Sequence, residues 1–187
     1  MRKPVLSLCL LFAAEALTPA WAQDWQTYRE PQGAFSAAFP GTPDVSGQTY
    51  KLADGTALPA KLYDARDGKS EFRILVVDFS GAKLQGDAAV NQVIARLAES
   101  GKIDVDVNAR INRNWGRELS VSNKDGGRTV LAVFFVGGHL FQLEGVIHPG
   151  GDMTSPAPVR FQQSLDFGNY GSGGFGRRGF GRFGFGR

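Results

Sequence analysis

The stretch Arg128–Ile147, RTVLAVFFVGGHLFQLEGVI, decides the fold of this chain. Two apolar runs flank Gly137-Gly138, and a two-residue Gly-Gly link between such runs predicts a β-hairpin, because both central residues of a primed turn need positive φ. The incoming run is apolar at Val130, Ala132, Phe134 and Val136 and also at Leu131, Val133 and Phe135, so that strand must be covered on both faces. The outgoing run sets Leu140, Gln142, Glu144 and Val146 against Phe141, Leu143, Gly145 and Ile147, which predicts one buried face and one partly polar face. This hairpin is expected at the sheet centre.

Upstream, short strands are read outward from turn signals. Asp24–Glu30 is expected to be extended with Trp25, Thr27 and Arg29 on one face. Pro31-Gln32-Gly33 then turns the chain into Ala34–Phe39, where Phe35, Ala37 and Phe39 share a face. Val45–Leu52, Thr56–Arg66 and Glu71–Phe79 follow as strands, closed by Asp54-Gly55 and Asp67-Gly68. Val90, Val93, Ile94 and Leu97 recur at helical spacing and predict a helix over 87–100. Asp87 is expected at its N-terminal cap and Gly101 at a left-handed C-terminal cap.

Between that helix and the hairpin, Ile103, Val105, Val107, Ala109 and Ile111 alternate with Asp104, Asp106, Asn108, Arg110 and Asn112, a strand with one core face and one wet face. After a break near Asn114 and Gly116, Arg117–Asn123 is the next strand. Beyond Ile147, a loop from His148 leads to Ser155-Pro156, which opens a last helix reaching about Phe167. The expected class is α+β, an antiparallel sheet flanked by helices, in a single domain over 23–167.

Two other segments stand apart from that domain. Arg2-Lys3, the apolar run Val5–Ala14 and the Ala20-Trp21-Ala22 cleavage pattern predict a signal peptide over 1–22, and an exported protein of the bacterial periplasm. Cys9 is the only cysteine of the 187 residues and lies inside that run. The mature chain is therefore expected to hold no disulfide and no thiolate site. The apolar run is too short for a membrane span, which takes about 20 residues.

The other is the tail from Gly168 to Arg187, which holds nine Gly, four Phe and four Arg and no acid. Such a composition predicts disorder. Phe175, Phe180, Phe183 and Phe185 interleave with Arg177, Arg178, Arg182 and Arg187, a pattern suited to gripping an anionic membrane surface or an unidentified acidic envelope partner. Nucleic acid is not the expected partner, because an exported chain meets little of it. Setting aside Arg2, Lys3, Glu15 and the four tail arginines leaves 15 basic and 17 acidic residues of the chain's 21 and 18. The basic character thus belongs to the tail.

Chemistry-bearing motifs are sparse. His139 and His148 fall at opposite ends of one strand and cannot share a site, and His148 with Asp152 falls short of a zinc ligand set. The row Asp104, Asp106, Asn108 lacks the glycine and glutamate of a calcium loop. Glu144 is a lone carboxylate without an acid/base partner, and Ser164 has no base near it in sequence. No cofactor motif and no catalytic residue is assigned, and the chain is not expected to be an enzyme. The competing expectation is a small-ligand binder or enzyme whose site is assembled from scattered residues.

Two motifs carry a family resemblance. Trp25-x-x-Tyr28 with Gly33-Ala34-Phe35-Ser36-Ala37-Ala38-Phe39-Pro40-Gly41-Thr42-Pro43 resembles the opening of small exported PsbP-like domains, and Val159–Phe167 resembles their closing helix. The resemblance implies an α/β/α sandwich and a non-catalytic domain that docks onto partners. It covers about 23–167, matches no partner-contact or ion-binding position, and does not extend to the glycine-rich tail.

Overall fold

The computed structural model describes residues 25–84 and 86–167. The signal-peptide expectation over 1–22 and the tail over 168–187 therefore lie outside the described residues. The elements run β1 (Gln26–Arg29), β2 (Ser36–Phe39), β3 (Asp44–Lys51), β4 (Ala57–Asp67), β5 (Ser70–Asp78), α1 (Asp87–Ser100), β6 (Gly101–Ile111), β7 (Asn114–Asn123), β8 (Arg128–Val136), β9 (His139–Ile147) and α2 (Ala157–Gln163).

Seven strands form one antiparallel sheet in the order β3-β4-β5-β9-β8-β7-β6, and β1-β2 form a separate two-stranded ribbon. The β8–β9 hairpin lies in the interior of the large sheet, with Gly137 and Gly138 at φ 59° and 80°. Both faces of β8 are buried, and Gln142 and Glu144 alone interrupt the buried run of β9.

The architecture corrects the expectation of a sheet flanked by helices in an α/β/α sandwich. The fold is mostly β, with helices of only 14 and 7 residues. One reason lies at the end of α2. The Ser164 amide bonds back to the Phe161 carbonyl and ends α2, and Asp166 then pairs as an isolated bridge with Ser36. Residues 164–167, expected to be helical, are thus spent on capping and on covering the ribbon.

Two cores result. On one face the β1-β2 ribbon and α2 enclose Phe35, Phe39, Phe72, Phe134, Phe141, Phe161 and Phe167. Gly145 seats α2, since a Cβ there would fall 2.7 Å from the Pro158 Cα. On the other face α1 lays Val90 and Val93 over Phe79, Leu119, Leu131 and Val133.

Smaller corrections follow from pairing. In β1 the inward residue is Tyr28, opposite the fully buried Ala37, while Thr27 and Arg29 are exposed. Gly86, not Asp87, occupies the N-cap of α1, without a side-chain cap. Gly101 is extended, at φ 179°, and opens β6 directly. The β6–β7 turn falls at Asn112-Arg113, with Asn112 at φ 55°, so β7 begins at Asn114 and runs through Gly116. The alternation along β6 breaks at a bulge between Ile103 and Val105. Ile103 joins the α1 core, whereas Ala109 and Ile111 join the other core, and Val105 and Val107 are left 47% and 48% exposed.

Candidate functional site

The α1 side of the sheet is only partly covered. Helix α1 packs against β6, β7 and β8. Toward β3, the sheet surface stays open, and Gln48, Tyr50, Leu62, Leu75, Arg73 and Glu144 line a groove of about 240 Å³.

Alternation and register place a charged ladder beside that groove. The two-residue Gly68-Lys69 turn pairs Asp64 with Arg73 and Arg66 with Glu71, and β9 adds Glu144 opposite Arg73. Directly opposed residues share a face, so these side chains form one layer. Arg73 Nη2 donates to Glu144 Oε2 at 2.7 Å, and Arg66 Nη2 to Glu71 Oε1 at 3.1 Å. Gln142 Nε2 also donates to Glu144. His148 Nε2 lies 3.2 Å from Glu71 Oε2, and Arg66 Nε 3.7 Å from Asp64.

The ladder is not balanced. Burial disfavours charge on Glu71, but Arg73, Arg66 and the His148 hydrogen bond outweigh it and hold the carboxyl below its ordinary range. Burial, then the charge of Glu71, pushes Asp64 above its ordinary range, against the opposing pull of Arg66 and Arg73. Asp64 Oδ1 and Arg73 Nε are buried without a hydrogen-bond partner. Two neighbouring carboxyls driven in opposite directions are the arrangement that acid/base sites use, although structural ion networks produce it as well.

The residues singled out from sequence fall in several places. His139 sits near Asp78, 3.9 Å away, and His148 sits at Glu71, so the strand separates the two imidazoles. Asp104 accepts from the Ser122 hydroxyl and pairs with Lys102, and Asp106 pairs with Arg117. Both acids of that row are therefore engaged by neighbours. Ser164 accepts from the Ala38 amide at 2.8 Å and donates to the Phe161 carbonyl. Among the described residues, no group of three or more His, Cys, Asp or Glu is placed to hold a metal ion. No helix among them is long and apolar enough to cross a membrane.

The tail residues Phe175, Arg177, Arg178, Phe180, Arg182, Phe183, Phe185 and Arg187 lie outside the described residues. Their root does not. Phe167 is fully buried, 5.5 Å from Phe134 and 5.0 Å from Phe141 by ring centroids. Asp166 accepts from Asn112 Nδ2 at 3.1 Å.

Asp64, Arg66, Glu71 and Arg73 were not singled out from sequence. The signal was available as four polar residues at every second position on either side of one Asp-Gly turn.

No family model matches the chain, and no curated protein matches it. A protein of Bacteroides thetaiotaomicron, solved by crystallography at 1.50 Å, aligns with a TM-score of 0.43 and 17% identity over 78% of this chain and 48% of that one. The chain thus spans about half the length of that protein.

Proposed function

We propose that the chain is an exported, non-catalytic interaction module of the bacterial periplasm or envelope, whose cationic aromatic tail tethers it to an anionic surface. The observation that carries this reading is the burial of Phe167 between Phe134 and Phe141, with Asp166 tied to Ser36 and Asn112. A tail rooted in the core transmits whatever it grips to the whole domain. Arginine supplies long-range attraction to anionic headgroups, and phenylalanine adds apolar area at the interface.

The two motifs that resemble PsbP-like domains support docking over catalysis. They meet in one aromatic cluster, where Phe161 packs 5.0 Å from Phe39 and 6.5 Å from Trp25. Phe39, Phe161 and Trp25 are thereby accounted for by packing. The test is binding of the full chain to anionic and neutral vesicles, against a variant with the four tail arginines replaced by serine.

A second reading, a small-ligand binder or enzyme, is favoured by the oppositely shifted Asp64 and Glu71 beside the open groove. Its ligand would combine an apolar body, to lie on Leu62 and Leu75, with a polar end directed at Arg73 and Glu144. Saturable protection of those two residues in hydrogen exchange by a small molecule would favour it over the tether.

A further inference from the structure

We propose that Gly168–Arg187 docks back on its own domain, along the free edge of β6 and the surface around Val105, Val107 and Glu118. Strand β6 is the last strand of the sheet, and its outer edge has no strand partner among the described residues. The register Val105↔Ser120 and Val107↔Glu118↔Ala132 puts the two exposed valines and Glu118 on the face that carries α2 and the ribbon. Neither the ribbon nor α2 covers these valines, which stay about half exposed at 47% and 48%.

Charge and chain path select the occupant. The acids along β6 are engaged, Asp104 by Lys102 and Ser122, and Asp106, on the opposite face, by Arg117. The Glu118 carboxylate, by contrast, has no ion pair or side-chain hydrogen bond among the described residues. An apolar strip beside a free carboxylate fits phenylalanine next to arginine. The chain leaves the core on this same face, since Phe167 rests on Phe134, whose neighbours across the sheet are Gly116 and then Ala109. Asp166 is bonded to Asn112, directly after β6.

The tail's pattern matches an added strand. Phe183, Phe185 and Arg187 alternate with Gly184 and Gly186, so an extended backbone places all three side chains on one face. Pairing would supply the main-chain hydrogen bonds that β6 lacks on its outer side, and the side chains would supply the register. The bulge at Ile103–Val105 and the paired charges of β6 guard the edge against indiscriminate pairing.

The inference rests on the proposed function's reading of the tail as a gripping segment; the docked and surface-bound tails are alternative states of the same side chains, and the two fail separately. In the full chain carrying Cys9→Ser, Val107→Cys is combined with Phe183→Cys, and the yield of intramolecular disulfide is compared with that of Val45→Cys plus Phe183→Cys. Val45 is an exposed residue, 52%, on the opposite edge strand β3. Sixteen residues beyond Phe167 reach about 50 Å when extended, and a seven-stranded sheet is only about 30 Å wide, so length alone favours neither edge. Docking predicts at least about a fivefold higher yield at position 107, reduced toward the level of position 45 by Glu118→Lys. Equal yields at the two edges overturn the docking, whether or not the protein binds vesicles. Disulfide-linked dimers at position 107 overturn it in favour of a second copy. A preference for position 107 with no vesicle binding upholds the docking and removes the tether.

Discussion

Arg73 and Glu144 face each other across the β5–β9 pair, Nη2 to Oε2 at 2.7 Å, and this contact ties together the charged layer on the open part of the sheet. Arg73 also reaches Glu71, 3.9 Å away, so a single guanidinium serves two carboxylates while Asp64 receives little.

That imbalance gives a pH signature. The folded state raises the Asp64 carboxyl, so its contribution favours folding at acid pH and is lost as pH rises through its folded pKa. Glu71 is lowered, so its contribution is present above the ordinary carboxylate range and is lost as pH falls. Asp64→Asn is therefore expected to stabilise the protein at pH 7, by under about 1 kcal/mol, with the gain vanishing toward pH 3. Glu71→Gln is expected to destabilise at pH 7 by on the order of 2 kcal/mol, because it removes a charged acceptor from Arg66 and His148. Urea midpoints of both variants across the acid range check the signs. A destabilisation by Asp64→Asn at pH 7 contradicts the account.

Phe167→Ala tests the root of the tail. Removing a fully buried ring from between Phe134 and Phe141 should cost about 3–5 kcal/mol. A thermal midpoint within a degree of the parent would show that the residue does not belong to the core.

Gly145→Ala probes the seat of α2. The added Cβ meets the Pro158 backbone at 2.7 Å, so helix and strand must part, at a cost of about 1–3 kcal/mol. Hydrogen exchange should accelerate over 157–163 more than over α1, which packs on the opposite face. Uniform acceleration of both helices would contradict this seating.

The hairpin and α1 were legible because their signals are local. A Gly-Gly link needs only its own two residues, and the spacing of Val90, Val93, Ile94 and Leu97 needs only one helix. The β6 alternation misled because its bulge arises from pairing with Val121 and Ser120 on β7, which the β6 sequence does not contain. The end of α2 at Gln163 was not legible because residues 161–167 hold no glycine or proline to mark it. The sandwich was overdrawn for a related reason, since the motifs of the family resemblance specify an aromatic cluster that a β-ribbon fills as well as a longer helix would. The charged ladder required the hairpin register, which joins Asp64 to Arg73 only when the turn after Asp67 is two residues long.

In the proposed tether, an arginine- and phenylalanine-bearing tail, rooted in the core, holds the domain on an anionic surface. Each arginine near such a surface contributes roughly 1 kcal/mol, so the four together correspond to about a thousandfold in partitioning at low salt. The most direct measurement is co-sedimentation of the full chain with anionic and neutral vesicles over a salt series. The account predicts pelleting with anionic vesicles only, weakening as salt shortens the screening length, and lost when Arg177, Arg178, Arg182 and Arg187 are replaced by serine. Pelleting that is unchanged by those four substitutions, or no pelleting at any salt, would contradict it.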